Sequence, residues 1–179
     1  MNSEKKLAGK VTLEAVCGDI ASQHGIDAVV NAANAQLMPG GGVAGAIHRA
    51  AGPGLAEECR SMAPIEPGQA VISGAHHLPN SFVIHCLGPV YGKDKPESRL
   101  LADCYRNALL LAEKNKITSV AFPAISAGIF GYPFEEAAEV SLHTIFKIVP
   151  DLKYVRHIRF VLFGVENFKK YAAKLREIE

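Results

Sequence analysis

At 179 residues the chain is long enough for one sizeable hydrophobic core and short for two, so a single domain over 1–179 is expected. Its 19 basic and 18 acidic side chains nearly cancel, which argues against a broad basic surface that wraps nucleic acid; no specific nucleic-acid partner is expected. Cys17, Cys59, Cys86 and Cys104 lack CxxC spacing, and Cys17 and Cys86 sit in apolar runs, so all four read as reduced thiols.

The first ten residues, MNSEKKLAGK, have no apolar stretch of the kind a signal peptide needs, and no later run is long enough to cross a bilayer. A cytoplasmic protein is expected, with residues 1–10 as a flexible extension. The first strand is then VTLEAVCGDI, and DAVVNAA is the second. Three glycines, Gly40 to Gly42, follow the second strand and open a helical pattern over 43–60, with Val43, Ile47, Ala50, Ala51 and Leu55 at helical spacing. QAVISGA and FVIHCLG follow as strands close enough to form a hairpin, which predicts a mixed sheet. A helix over 98–114 shows apolar positions at Leu101, Cys104, Tyr105, Ala108, Leu111 and Ala112. SVAFPAI is a strand, and PFEEAAEVSLHTIFKIV is a helix led by Pro133, a favourable residue at a helix start. HIRFVLFGV is the last strand, and VENFKKYAAKLREIE is a helix with Phe168, Tyr171, Ala172 and Leu175 on one face. Nearly continuous apolar strands alternating with amphipathic helices predict an α/β protein of three layers, α/β/α, with both sheet faces covered.

Glycines are entropically costly to order, so three in a row need a reason. A glycine turn between a strand and a helix offers free backbone N–H groups at the positive end of the helix dipole, an anion site suited to phosphate. A tight connection alone would also use such a turn. The turn lacks the Lys-Ser/Thr ending of a Walker loop and does not fit GxGxxG, which disfavours a nucleotide triphosphatase. A second loop, SAGIFGYP from Ser126 to Pro133, follows another strand and carries apolar Ile129 and Phe130 where solvent is expected. Two such loops at strand ends of one sheet suit a diphosphate held between them.

Five ordered segments, GDI (18–20), VNAAN (30–34), GGGVAGAIHRAAG (40–52), IHCLGPVY (84–91) and SAGIFGYP (126–133), resemble the macrodomain family, the ADP-ribose-binding module, over nearly the whole chain. The resemblance implies a mixed, roughly six-stranded sheet and a cleft for ADP-ribose, or for ADP-ribosylated protein, across the strand ends. It implies no cofactor and no metal, and the domain is expected as a monomer.

By the same resemblance, Asp19 accepts from the adenine amine while the Ile20 N–H bonds a ring nitrogen; Asp19 can equally cap a helix that starts near Ile20. Phe163 flanks adenine or packs in the core. Asn34 contacts the distal ribose, and Asn31 pins the loop. Gly40, Gly41, Gly42, Val43 and Ala44 supply the first phosphate loop; Ser126, Ala127, Gly128, Ile129 and Phe130 supply the second, with the Phe130 ring on the distal ribose. Backbone N–H groups then hold the diphosphate without a lysine. Asn34, Gly42 and Phe130 form the expected catalytic set, positioning a water at the distal ribose.

One branch of the family has Asp where this chain has Ala44, and that Asp is thought to help activate water; other branches share the GGGVAGA form. The implied activity is hydrolysis of mono-ADP-ribosyl esters on acidic side chains or of O-acetyl-ADP-ribose, with a non-catalytic reader as the alternative. His48 and His85 read as structural. His76 and His77 lack a third ligand for zinc. Tyr91 and Tyr132 wall the cleft or pack in the core.

Overall fold

The structure, a computed structural model, describes residues 2–179. Seven strands form one sheet: β1 (Ser3–Ala8), β2 (Val11–Cys17), β3 (Ala28–Ala32), β4 (Ala70–Gly74), β5 (Phe82–Cys86), β6 (Ser119–Phe122) and β7 (His157–Leu162). Their spatial order is β1-β2-β7-β6-β3-β5-β4. The five inner strands run parallel, and β1 and β4 close the edges antiparallel. Five helices complete the chain: α1 (Gly42–Ala51), α2 (Gly54–Cys59), α3 (Glu97–Lys114), α4 (Phe134–Ile148) and α5 (Val165–Glu177).

Successive strand residues point to opposite faces, and the inner strands are apolar on both. Val29 and Val83 face the core formed with Ile47 of α1 and Leu55 of α2. Their neighbours Val30 and Ile84 face the core built on Leu101 and Tyr105 of α3, Leu142 of α4 and Tyr171 of α5. The result is the expected mixed sheet between helical layers.

The extra strand is a correction to the expected flexible extension. Ser3–Ala8 pairs with β2 from Ser3↔Val16 to Ala8↔Val11, through a tight turn in which Gly9 has φ 57°. Its charged, alternating pattern SEKKLA is that of an edge strand whose lysines discourage further pairing. Met1 of that extension lies outside the described residues. The helical pattern over 43–60 is likewise two helices: Gly52, at φ 83°, ends α1 by donating its N–H to His48 O at 3.0 Å, and Pro53 cannot continue the ladder.

Glu14, buried in β2, ties β2 to the neighbouring β7. Its Oε2 accepts from Arg159 Nε at 2.9 Å and His157 Nε2 at 2.7 Å, both on β7. Burial alone raises the carboxyl's pKa, but the bonds from Arg159 and His157 outweigh it and hold the pKa below the ordinary value. A depressed pKa contributes stability that is present above the unfolded value, about 4.3, and is lost as pH falls through the folded value. We expect Glu14→Gln to melt lower than the unmutated protein at pH 7, with the gap narrowing below about pH 4. Melts across pH 3–7 check this; a constant gap assigns the loss to packing.

Candidate functional site

The strand order reverses direction between β3 and β6, since the chain leaves β3 for β4 and β5 on one side and enters β6 on the other. In open α/β sheets the crevice beyond the strand carboxyl ends at such a point receives ligand. Here it is a cleft of about 620 Å³. Gly18 to Ile20 enter it from the end of β2, Ala32 to Asn34 from β3, Pro123, Ala124 and Ser126 to Phe130 from β6, and Val161 to Phe163 from β7.

Every expected site residue lines this cleft: Asp19, Ile20, Asn34, Gly40, Gly41, Gly42, Val43, Ala44, Ser126, Ala127, Gly128, Ile129, Phe130 and Phe163. The N–H groups of Gly40, Gly41, Val43 and Ala44 find no backbone acceptor among the described residues, the usual state of a helix N-terminus. Across from them, Gly128, Ile129 and Phe130 also have unpartnered N–H groups, while that of Ala127 bonds Ala124 O at 3.3 Å. The two loops approach closely: a Cβ added to Gly41 would stand 3.4 Å from Ile129 Cδ1. Ile129 is 83% exposed, an apolar side chain held over the glycines.

Ser126 explains the second loop's shape. It is a non-glycine at φ 64°, and its buried hydroxyl donates to Pro89 O at 2.8 Å, which fixes the loop from below. Gly88 makes room for it, since a Cβ there would overlap Ser126 Oγ. Tyr91 and Tyr132 pack on each other at 4.9 Å between ring centroids and brace the loop rather than lining the cleft; Tyr91 N donates to Phe130 O and Tyr132 N to Ser126 O, each at 2.9 Å.

Asp19 takes the capping role that the sequence offered and still lines the cleft. Its Oδ1 accepts from Ala21 N at 2.9 Å, capping a short 3-10 turn over Ile20–Ser22, while the residue stays exposed in the cleft. Gln23 Nε2, bonding Asp19 O at 2.7 Å, fixes that turn. Phe163 is 87% exposed and not a core residue, which removes the packing alternative. Asn34 is held by its neighbours: Nδ2 donates to Met38 O at 2.7 Å and Oδ1 accepts from Met38 N at 3.1 Å. One N–H and one lone pair remain for a ligand.

The histidines are not in the cleft. His85 accepts at Nδ1 from Asn31 Nδ2 at 3.1 Å, which places its proton on Nε2, 2.8 Å from Ser73 Oγ. Burial, helped by the nearby His48, pushes its pKa down to about 3, so it stays neutral. Burial also lowers His48, whose ring nitrogens have no partner among the described residues. His76 is tied to Glu58 at 2.8 Å, and the described residues hold no cluster of three His, Cys, Asp or Glu placed to bind a metal. Two polar lining side chains were given no site role by the sequence reading. Arg49 lies two turns into α1, and Asn167 lies in the first turn of α5, beside Phe163.

A three-layer α/β domain with a cleft at the switch point, walled by two small-residue loops and bearing one acid and one base, defines a class: doubly wound domains that take an extended ligand across their strand ends. More narrowly, the chain belongs to the macro domain family, whose model matches residues 30–141. It is 44% identical to the macro domain-containing protein of Chlorobaculum tepidum, covering 92% of this chain and 96% of that one. It is 45% identical to the O-acetyl-ADP-ribose deacetylase of Salmonella typhimurium, covering 92% and 94%. Among solved structures, an Oceanobacillus iheyensis macrodomain variant with ADPR matches at TM-score 0.93 and 38% identity over 98% of this chain and 97% of that one. A Trypanosoma brucei macrodomain in complex with ADP-ribose matches at 0.85 and 34%, covering 91% and 68%. Among the described residues no helix is long and apolar enough to cross a membrane.

Proposed function

We propose that this domain binds ADP-ribose and hydrolyses its acyl esters, those on mono-ADP-ribosylated acidic side chains and O-acetyl-ADP-ribose. The supporting observation is the facing pair of loops with unpartnered N–H groups, Gly40–Ala44 and Gly128–Phe130, on either side of one cleft. Adenine lies by Asp19, Ile20 and Phe163, and the distal ribose by Asn34 and Phe130. For a modified carboxylate, water held between the substrate's phosphate and the loops attacks the anomeric carbon. The ester C–O bond breaks, the carboxylate leaves with the electron pair, and the water's proton passes to solvent. For the acetyl ester, water adds to the carbonyl carbon, the bond from that carbon to the ribose oxygen breaks, and the ribose oxygen leaves with the electron pair and takes up a proton, giving acetate and ADP-ribose. Asn34, Gly42 and Phe130 position the reactants, and the relative named as a deacetylase is in keeping with this.

The reader alternative retains one specific support. Ala44 contributes no carboxylate, and Asp19 is the sole acid lining the cleft. Single-turnover incubation of an ADP-ribosylated acidic protein, and separately of O-acetyl-ADP-ribose, decides between them; no release above the buffer rate on either leaves the reader.

Binding itself should be metal-independent and about micromolar, within what a ligand of about 36 non-hydrogen atoms allows. Calorimetry with and without a chelator measures it. Asp19→Ala should weaken ADP-ribose about ten-fold, the loss of a hydrogen bond to a charged group. It should also erase any preference for ADP-ribose over its hypoxanthine analogue. An equal loss on both ligands, together with a lowered unliganded melting temperature, leaves Asp19 as a cap alone.

A further inference from the structure

Asp19 and Arg49 are the only ionisable side chains that line the cleft. Asp19 has a partner in the Ala21 N–H. Arg49 enters no ion pair among the described residues and is exposed. A side chain on a helix leans toward the N-terminus, and this one does: Nη1 lies 2.9 Å from where a Cβ on Gly45 would stand, at a spot that also abuts Gly40 O. Gly40 in turn is next to Asn34, whose Nδ2 is 3.3 Å from the place of a Gly40 Cβ. Arg49, Gly45, Gly40 and Asn34 therefore make one wall, on the β3 side. Asp19 and Phe163 come from the ends of β2 and β7 on the other.

The proposed diphosphate site already has two rows of backbone donors, so it does not need Arg49, whose backbone lies two turns on along α1 and whose Nη1 reaches back only to the outer side of Gly45 and Gly40. What emerges past the Asn34 wall is the group esterified to the distal ribose. With acetate that group is small and uncharged; with a modified protein it is a polypeptide. Resting on the ester-cleaving reading above, we propose that Arg49 recognises this polypeptide and selects ADP-ribosylated carboxylates set among further acidic residues. The guanidinium is unpaired, solvated and able to pair bidentately with a carboxylate, as Arg does in preference to Lys. Its other reading, a cation in the last turn of α1 favoured by the helix dipole, predicts no substrate preference.

The test uses two ADP-ribosylated peptides, one with the modified Glu flanked by Glu and Asp, the other by Ser and Gly. The unmutated protein should favour the acidic peptide in kcat/KM by about two- to five-fold at low salt, the range of an exposed ion pair, and the preference should fade as salt rises. Arg49→Gln brings the ratio to about one, and Arg49→Glu inverts it. A ratio unchanged in either variant, or an equal loss on both peptides matched by the same loss in affinity for free ADP-ribose, overturns the assignment; the second pattern makes Arg49 a phosphate ligand. If the unmutated protein turns over neither peptide, the same ratio is read from their dissociation constants. Failure of hydrolysis and failure of the Arg49 assignment are then separate results.

Discussion

Asn34→Ala slows ADP-ribose release from a modified carboxylate about a hundred-fold in single turnover, the cost of misplacing a reacting group by about 1 Å, while affinity falls far less. Two consequences of one amide combine. Its bonds to Met38 N and O, at 3.1 and 2.7 Å, close the segment between β3 and the glycines. Its remaining donor and acceptor are what the proposed reading gives to the distal ribose, and its Nδ2 stands 3.3 Å from where a Cβ on Gly40 would be. Truncation frees the segment and leaves the ribose unoriented, but the adenine and diphosphate contacts lie elsewhere in the cleft and persist. An interaction that matters for attack geometry shows in the rate; one that matters only for holding ligand shows in the dissociation constant. Rapid-quench measurement of released ADP-ribose with enzyme in excess, beside calorimetry on the same variant, separates them. Equal losses in rate and affinity make Asn34 a ligand contact with no part in the chemistry.

The inner sheet was legible because strands covered on both faces must be apolar throughout, as Val29, Val30, Val83 and Ile84 are. The edge strand was not, since an exposed strand alternates charge with short apolar residues and reads as a solvated tail. Its hairpin signal, Gly9 at a tight turn between Ala8 and Val11, was there to be found. The strand-end loops were legible for the opposite reason: small residues at strand ends conflict with local propensity, and such conflicts mark sites. Arg49 and Asn167 lie on helices, where sequence gives the angular position but not which neighbour closes over it. Phe163 is ambiguous in sequence between core and cleft, because both uses ask for an aromatic at a strand end. Gly88 belongs to the same group, for its reason lies 38 residues away in Ser126.

That contact carries the largest structural effect we expect. Gly88→Ala places a Cβ in overlap with Ser126 Oγ and 2.7 Å from Ile125 Cγ2. Ile125 is buried and cannot yield, so Ser126 must move, and its 2.8 Å bond to the carbonyl of Pro89, the next residue after Gly88, is the first loss. Overpacking costs about 1–3 kcal/mol and the broken buried bond about 1 more, which together lower Tm by roughly 5–15 °C in a domain of this size. Function suffers beyond stability. The left-handed φ of Ser126, 64°, leads into the Gly128 to Phe130 backbone at the cleft, and a displaced Ser126 turns those N–H groups off the proposed diphosphate site. ADP-ribose affinity should therefore fall by ten-fold or more in the fraction that remains folded, while adenosine, which has no diphosphate, is affected less. The second substitution Ser126→Gly tests the cause: it removes the overlapping hydroxyl and suits the positive φ, so the double variant should recover part of the Tm, the residue of the loss being the Ile125 contact. A Gly88→Ala protein with unchanged Tm, or a double variant no more stable than the sum of its two single changes allows, would mean that this close approach does not shape the second loop.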